Sequence, residues 1–422
     1  GVPLYTDGKA DEWEFLHSDT TFEEIAAKGK IRLETDGRAE YTYRKGDGFE
    51  FLYIVNVEKE PAHVVMPAGY SRVDLLSLKA YEQEREIVLG GGESILLMPV
   101  PGEKNIPYGE EKELTSEFRF AGATDNNLTL DMVRISFDGV SYGEEKPLVE
   151  VFDRLLREKY EGKLCVKYSF TVRGRGAKLL IRREKGKYLS SSLNGQALNF
   201  TESAYDFMFE EADISATVRE GINDYINELN FYERPHVFWA LYAPEATESV
   251  RNCLWYDTEL ENVYLRGDFS VDGERALEAP CAPDGMDNLQ KNGFPNFAGK
   301  VKFSAAVFGE KKRAKLKVEG DYTAVEVFVN GREAGSCLFG KEIEIELKEE
   351  KENEVELVMV SSLRNMFGPL HLKGDEDGGV GPFSFTMRGA WKEGMCEVFD
   401  PAYRLRPFGI KSIRIAFEQT DS

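Results

Sequence analysis

The sequence predicts an all-β chain: a small N-terminal antiparallel β domain followed by two tandem jelly-roll β-sandwiches, with few helices. Three observations carry this expectation. Short stretches of alternating apolar residues, punctuated by Gly and Pro, recur along the 422 residues. Only two helical patterns interrupt them. Four motifs occur twice, in the same order and at nearly constant spacing.

The elements follow in order. "TTFEEIAAKGK" (Thr20 to Lys30) reads as a short helix, with Thr21 as N-cap and Glu24 as its capping-box partner. "EFLYIVNVE", "AHVVMP", "SRVDLLSL" and "SILLMPV" alternate or run apolar over short spans and give the first domain, set at 1–110. "KPLVEVFDRLLREKY" places Leu148, Phe152, Leu155, Leu156 and Tyr160 on one helical face, and Pro147 is tolerated at a first turn.

The rest of the chain is doubled. "GKLCVKYSFTV" resembles "GKVKFSAAV", and "AKLLI" resembles "AKLKV". "YLSSSLNGQAL" resembles "VEVFVNGREAG", and "EGINDYINEL" resembles "EKENEVELV". The offsets are 301 − 166 = 135, 314 − 177 = 137, 330 − 194 = 136 and 353 − 223 = 130. A period this long is a whole domain rather than a solenoid unit. In both copies a strand runs into Asn-Gly, the pair that tolerates positive φ in a type I′ hairpin turn. The copies are set at 111–277 and 278–422, joined by the Pro-, Gly- and Asn-rich run Glu278 to Asn296, read as a loop or linker.

Composition narrows the function. The 53 Lys and Arg against 75 Asp and Glu leave a formal charge of −22. Such a surface repels phosphate backbones and anionic lipid, so neither nucleic acid nor membrane is expected as a partner, whereas neutral ligands such as sugars are not penalised. Five scattered cysteines form no C-x-x-C pair, and free thiols in a reducing compartment are the plain account. No apolar run reaches transmembrane length and no leader opens the chain. The chain starts at Gly1 and reads as a piece of a longer one, so a cytoplasmic address is favoured by the thiols alone and secretion stays open.

"VEVFVNGREAG", with Asn353 in the following "KEIEIELKEEKENEVELVMV", resembles the jelly-roll sugar-binding domain of glycoside hydrolase family 2 and related galactose-binding-like domains. "DNNLTLDMVRISFDG", "LWYDTELENVYLRGDFSV", "NGFPNFAGKVKF", "SSLRNMFGPLHLKGD" and "YRLRPFGI" resemble the C-terminal region of large bacterial glycoside hydrolases, family 2-like or rhamnosidase-like. "FLYIVNVEKEPAHVVM" resembles the β domain that follows their catalytic barrel. The resemblance covers the chain from about Thr20 onward. It implies a carbohydrate ligand and an upstream catalytic domain of the same polypeptide. It supplies no barrel: a (β/α)₈ domain needs about 250 residues of alternating strand and helix, and no βαβ rhythm is present.

A sugar site needs an aromatic platform and planar polar groups for the hydroxyls. Trp391, in a Gly-bounded loop beside Arg388, is the best platform candidate, with packing or a domain contact as the competing reading. Trp255 opens an acidic stretch and fits either role, while Trp239, in "HVFWALYAP", reads as core strand. "RNMFGPLHLKGDEDGG" gathers Arg364, Asn365 and His371 in a long polar loop, a candidate rim for sugar or for the barrel, against the reading of a solvated loop. His371 has no partner at ligand spacing, and "KGDEDGG" does not match an EF-hand loop. No cofactor is expected, and a structural calcium has no support. Asp257, Glu259 and Glu261, at spacing two, are expected on one solvated strand face, with Arg251 and Arg266 at hand to match them. No phosphate loop or nucleophile elbow occurs, and a Ser-His-Asp system has no sequence support.

The sequence thus leads to a non-catalytic C-terminal part of a bacterial glycoside hydrolase that supports the barrel and contacts carbohydrate, with no catalytic residue assigned. The alternatives are a stand-alone carbohydrate-binding protein, or a complete glycosidase with its carboxylate pair between the sandwiches.

Overall fold

The computed structural model describes residues 34–35, 39–75, 78–204, 206–338, 342–371 and 402–419. The helix expected at Thr20 to Lys30, Trp13, Arg388, Trp391 and the "KGDEDGG" run lie outside them. The chain is all-β with short helices, and it forms two compact units, Gly1–Pro107 and Tyr108–Ser422.

The first unit holds β1 (Glu34–Thr35), β2 (Ala39–Gly46), β3 (Phe49–Asn56) and β4 (Ala62–Val65). It continues with β5 (Ser71–Val73), β6 (Ala80–Tyr81), β7 (Glu86–Leu89) and β8 (Ser94–Met98). They form two sheets, ordered β1-β4-β7 and β2-β3-β8-β5-β6. The alternation in β3 puts Leu52 and Ile54 inside, where they meet Ile95 and Leu97 of β8 and Val64, Met66 and Leu89 of the other sheet. At the end of β3, buried Asn56 donates from Nδ2 to the carbonyls of Glu60, Leu89 and Gly90, closing the sheet ends together.

The second unit begins with β9 (Lys112–Glu113), β10 (Arg119–Ala123), β11 (Asn126–Leu130), β12 (Met132–Ser136) and β13 (Lys146–Pro147). Helix α1 (Leu148–Arg157) is the amphipathic helix read from the sequence, and it buries Leu148, Leu155 and Leu156. Then come β14 (Gly162–Val172), β15 (Leu179–Glu184), β16 (Tyr188–Leu193), β17 (Gln196–Ala197), β18 (Thr201–Glu202), β19 (Phe209–Asp213) and β20 (Gly221–Phe231). Helices α2 (Pro235–Tyr242) and α3 (Glu248–Asn252) precede β21 (Val263–Gly267), β22 (Ser270–Val271) and β23 (Leu277–Glu278). The last run is β24 (Lys300–Phe308), β25 (Arg313–Asp321), β26 (Ala324–Val329), β27 (Arg332–Leu338), β28 (Ile343–Glu346), β29 (Glu352–Val360), helix α4 (Arg364–Phe367) and β30 (Gly409–Phe417).

These strands build two sandwiches. In the first, the sheet β11-β21-β15-β19-β18 faces the sheet β13-β12-β14-β20-β16-β17. Leu128, Leu179 and Val263 of one pack with Val133, Leu164 and Tyr225 of the other. In the second, β10-β24-β29-β26-β27 faces β28-β25-β30-β9 over Val301, Val327 and Leu357 on one side and Leu316, Ile345 and Ile413 on the other. Strands β9 and β10 pair with β30 and β24, so the second sandwich takes chain from both sides of the first. The run after Glu278 is mostly exposed as far as Gly285, but its later part enters the interior, where Leu289, Phe294 and Phe297 belong to the core of the second sandwich.

The doubling is present in the pairing order. β12-β14-β20-β16-β17 has its counterpart in β10-β24-β29-β26-β27, and β21-β15-β19 in β30-β25-β28. Asn194 and Asn330 both turn with positive φ, 52° and 51°, each followed by a positive-φ glycine. Asn194 Nδ2 donates to Oδ1 of buried Asn223 at 2.8 Å, and Asn330 Nδ2 donates to Oδ1 of buried Asn353 at 2.8 Å. Asn223 lies opposite Phe170 and Asn353 opposite Val307, giving 307 − 170 = 137 where sequence matching suggested 135. A two-residue slip keeps every side chain on its own face, so alternation alone does not distinguish the two registers.

Two local expectations are corrected. "HVFWALY" is helix α2 with Pro235 in its first turn, not a strand, and Trp239 is 39% exposed rather than core. Val237, Ala240 and Leu241 are its buried residues, and eight residues that are apolar nearly all round show no helical period. Residues 254–262 form no strand, so Asp257, Glu259 and Glu261 do not share a sheet face.

Candidate functional site

The features that could bear function lie on the first sandwich and where it meets the second. Strand β20 ends at Phe231, and residues 232–262 leave the sheet, carry α2 and α3, and return to β21. Buried Glu233 ties this excursion down by accepting from the N–H groups of Asp257 and Thr258, at 2.8 and 3.0 Å, and burial pushes its carboxyl up. Arg234 donates to Asp257 from its backbone N–H (2.9 Å) and Nη1 (3.1 Å), and from Nη2 to the carbonyl of Trp255 (2.9 Å). These bonds fix the backbone of Trp255 while its indole stands 79% exposed. Nearby in the chain, Trp239 stacks on His236 at 5.4 Å and donates from Nε1 to Glu245 at 3.0 Å.

Arg251 and Arg266 do not match the acidic residues of this stretch as expected. Arg251 donates to the carbonyl of Ala240, and Arg266 pairs with Asp125 and Glu211. Glu259 and Glu261 instead lie beside Glu184, the last residue of β15. Burial and the neighbouring charges of Glu184 and Glu259 push the Glu261 carboxyl up to about 8, so near neutral pH it keeps its proton and hydrogen-bonds Glu259. Glu184 is also pushed up, by burial and then by Glu259 and Asp206.

Inside the sandwich, buried Arg183 of β15 donates to Glu210, Ser191, Tyr225 and Asn227, and its guanidinium lies 3.8 Å from the ring centroids of both Tyr188 and Phe200. A charge taken out of water needs this degree of pairing. Every contact named is internal, and the group is a strut of the core.

Three residues singled out from the sequence, Arg364, Asn365 and His371, lie where the two sandwiches meet, each in its own surroundings. Asn365 and His371 are buried, and Arg364 is half-buried. His371 Nε2 is 3.0 Å from Asp131 Oδ2, Nδ1 faces the carbonyl of Ala402 at 3.3 Å, and Tyr403 donates to Asp131 Oδ1 at 2.7 Å. Both ring nitrogens thus lie near oxygen atoms of other segments of the chain. Asn365 exchanges two bonds with the backbone of Arg406, and Asn296 donates to the Asn365 carbonyl. Arg275 donates to Thr129 and Asn296 and lies 3.6 Å from the Tyr403 ring centroid. The structure therefore separates Trp255, which is presented to solvent, from this trio, which faces inward.

Sequence reasoning did not find Asp131, Arg183, Glu184, Arg234 or Tyr403. Only the acidic spacing around Glu259 hinted at the carboxylate group. Among the described residues no group of His, Cys, Asp and Glu could hold a metal ion, and no helix is long and apolar enough to cross a membrane.

No family model and no curated protein matches the chain. Among solved structures it is similar to a rhamnosidase from a Novosphingobium species, with 15% identity and a TM-score of 0.22, over 56% of this chain and 24% of that one. It is also similar to a Ruminococcus gnavus β-glucuronidase, with 14% identity and a TM-score of 0.26, over 58% of this chain and 43% of that one. The chain thus matches less than half the length of either, and at these values the likeness assigns no family.

Proposed function

We propose that the chain is an accessory β region of a bacterial glycoside hydrolase that contacts carbohydrate and supports an upstream catalytic domain. The division into an N-terminal β domain and two sandwiches belongs to this reading. The motifs quoted above suggest the parent class, and one structural observation supports the ligand: Trp255 is largely exposed, and its backbone carbonyl accepts from Arg234, which also pairs with Asp257 two residues on. A pyranose offers an apolar face to such a ring and vicinal hydroxyls to such a pair.

Affinity electrophoresis of the whole chain through gels cast with neutral polysaccharides tests this. Retardation that Trp255→Ala abolishes, with unchanged thermal stability, is the expected result. Free migration through every neutral glycan tried would remove the carbohydrate part of the proposal.

A second reading, a complete glycosidase, has one feature in its favour: burial and the neighbouring Glu184 and Glu259 push the Glu261 carboxyl up to about 8, the direction a general acid needs. Hydrolysis of aryl glycosides that Glu261→Gln abolishes would establish it, and inactivity toward them would leave the first reading alone.

A further inference from the structure

At the edge of the first sandwich, the residues just before β19 form a bonded turn. Asp206 caps the turn, accepting from Met208 N–H at Oδ1 (2.8 Å) and from Phe209 N–H at its carbonyl (3.1 Å), and Lys185 N–H donates to the Met208 carbonyl (2.9 Å). So pinned, this turn leaves Phe207 73% and Met208 46% exposed. The strand below offers more apolar surface, where Phe209 packs with Tyr264 and Phe367 at centroid distances of 6.1 and 6.3 Å. A large apolar side chain presented on a bonded turn costs hydration in the free protein and suits a surface that a partner covers.

The same edge is acidic. Glu184, cross-strand neighbour of Phe209, lies beside Asp206 and Glu259, and Glu261 lies behind them. Among the described residues none of these four carboxylates forms an ion pair with a lysine or arginine, although Lys185 pairs with Glu202 close by. We propose that this edge docks a segment of another protein domain that presents a lysine or arginine side chain between apolar neighbours, the cation meeting Glu184, Asp206 and Glu259 and the apolar groups covering Phe207 and Met208. Charge decides the occupant. A second copy would bring the same carboxylates to a two-fold contact, and with a net charge of −22 the chain repels itself. Burial, then the charges of Glu184 and Glu259, raise the Glu261 carboxyl, and a cation arriving among its neighbours would favour its ionised form. This inference goes beyond the carbohydrate reading and does not rest on it.

Calorimetric titration of the full chain with capped pentapeptides tests it, using a central lysine, norleucine or glutamate between two leucines. The lysine peptide is expected to bind at least about tenfold more tightly than the norleucine peptide, a preference that falls with salt. At pH 7 it should release a fraction of a proton, read from the heat in two buffers of different ionisation enthalpy. Phe207→Ser and Glu259→Gln should each weaken binding severalfold, while Trp255→Ala leaves it unchanged, which separates this edge from the sugar platform. Equal binding of the lysine and norleucine peptides, no binding at millimolar concentration, or self-association of the chain that Phe207→Ser abolishes would overturn the proposal.

Discussion

Asp131 and His371 stand 240 positions apart in the sequence, yet Oδ2 of one lies 3.0 Å from Nε2 of the other, and both are buried where the two sandwiches meet. Asp131 lies between β11 and β12 of the first sandwich, and His371 follows α4, beyond β29 of the second. Tyr403 completes the group through Asp131 Oδ1, and burial followed by the Asp131 charge raises its hydroxyl well above the usual phenol range.

Removing one member leaves the other buried without its polar neighbour. His371→Leu or Asp131→Leu should each cost about 3 to 5 kcal/mol in denaturant unfolding. The double substitution should cost clearly less than the sum, because neither buried polar group is then left without its neighbour. Additive losses would show that the pair does not act as a unit.

Asn353 should matter more than the turn it supports. Its side chain accepts from Lys348 N–H and donates to the carbonyls of Lys348 and Lys351, besides accepting from Asn330. Asn353→Ala leaves those part-buried groups without their protein partner and should cost roughly 1 to 3 kcal/mol. Asn330→Gly retains the positive φ and should cost no more than about 1 kcal/mol. Asn223→Ala is expected to match Asn353→Ala, since Asn223 bonds Arg219 N–H and the carbonyls of Arg219 and Gly221 in the same way. Unequal losses from the two copies would show that the shared bonding does not carry equal stability.

Arg183 offers a test of buried pairing. Arg183→Lys retains the charge but loses the planar stacking between Tyr188 and Phe200 and most of the fork of hydrogen bonds, and should cost about 2 to 4 kcal/mol. Arg183→Met combined with Glu210→Gln should recover part of the loss of Arg183→Met alone. Thermal unfolding of the three variants decides between these outcomes.

The Glu261 carboxyl gives stability a pH dependence of definite sign. Its folded-state value, pushed up to about 8, exceeds the ordinary carboxylate value. Its contribution is therefore complete below about pH 4.5 and is lost as pH rises through about 8. Glu261→Gln should flatten the fall in melting temperature between pH 5 and pH 9 and raise it at the alkaline end. A variant whose melting temperature falls as steeply as that of the parent would exclude Glu261 as the source.

What could be read in advance depended on how local the signal was. Strand β26 and the Asn330-Gly331 turn are written in adjacent residues, so the all-β class and the doubling were legible. Helix α2 was not, because an apolar eight-residue segment lacks a period, and Pro235 at its start is the one local helix signal it carries. The cluster of Glu184 with Glu259 and Glu261 joins the end of β15 to an irregular segment 75 residues later, and no spacing rule reaches across that gap. His371 looked like a loop residue because its neighbours in the chain are polar. Its partners come from Asp131 and Ala402, and only the folded chain brings them to it.

Strands β9 and β10 have a consequence for how the chain is made. They leave the ribosome before the first sandwich, yet their partners β24 and β30 start 177 and 296 residues after β10 ends and β9 ends, respectively. At about 5 to 20 residues per second, β10 waits roughly ten to thirty seconds for β24. Throughout that interval the nascent chain carries an unmatched edge, while the intervening module can already have closed on itself.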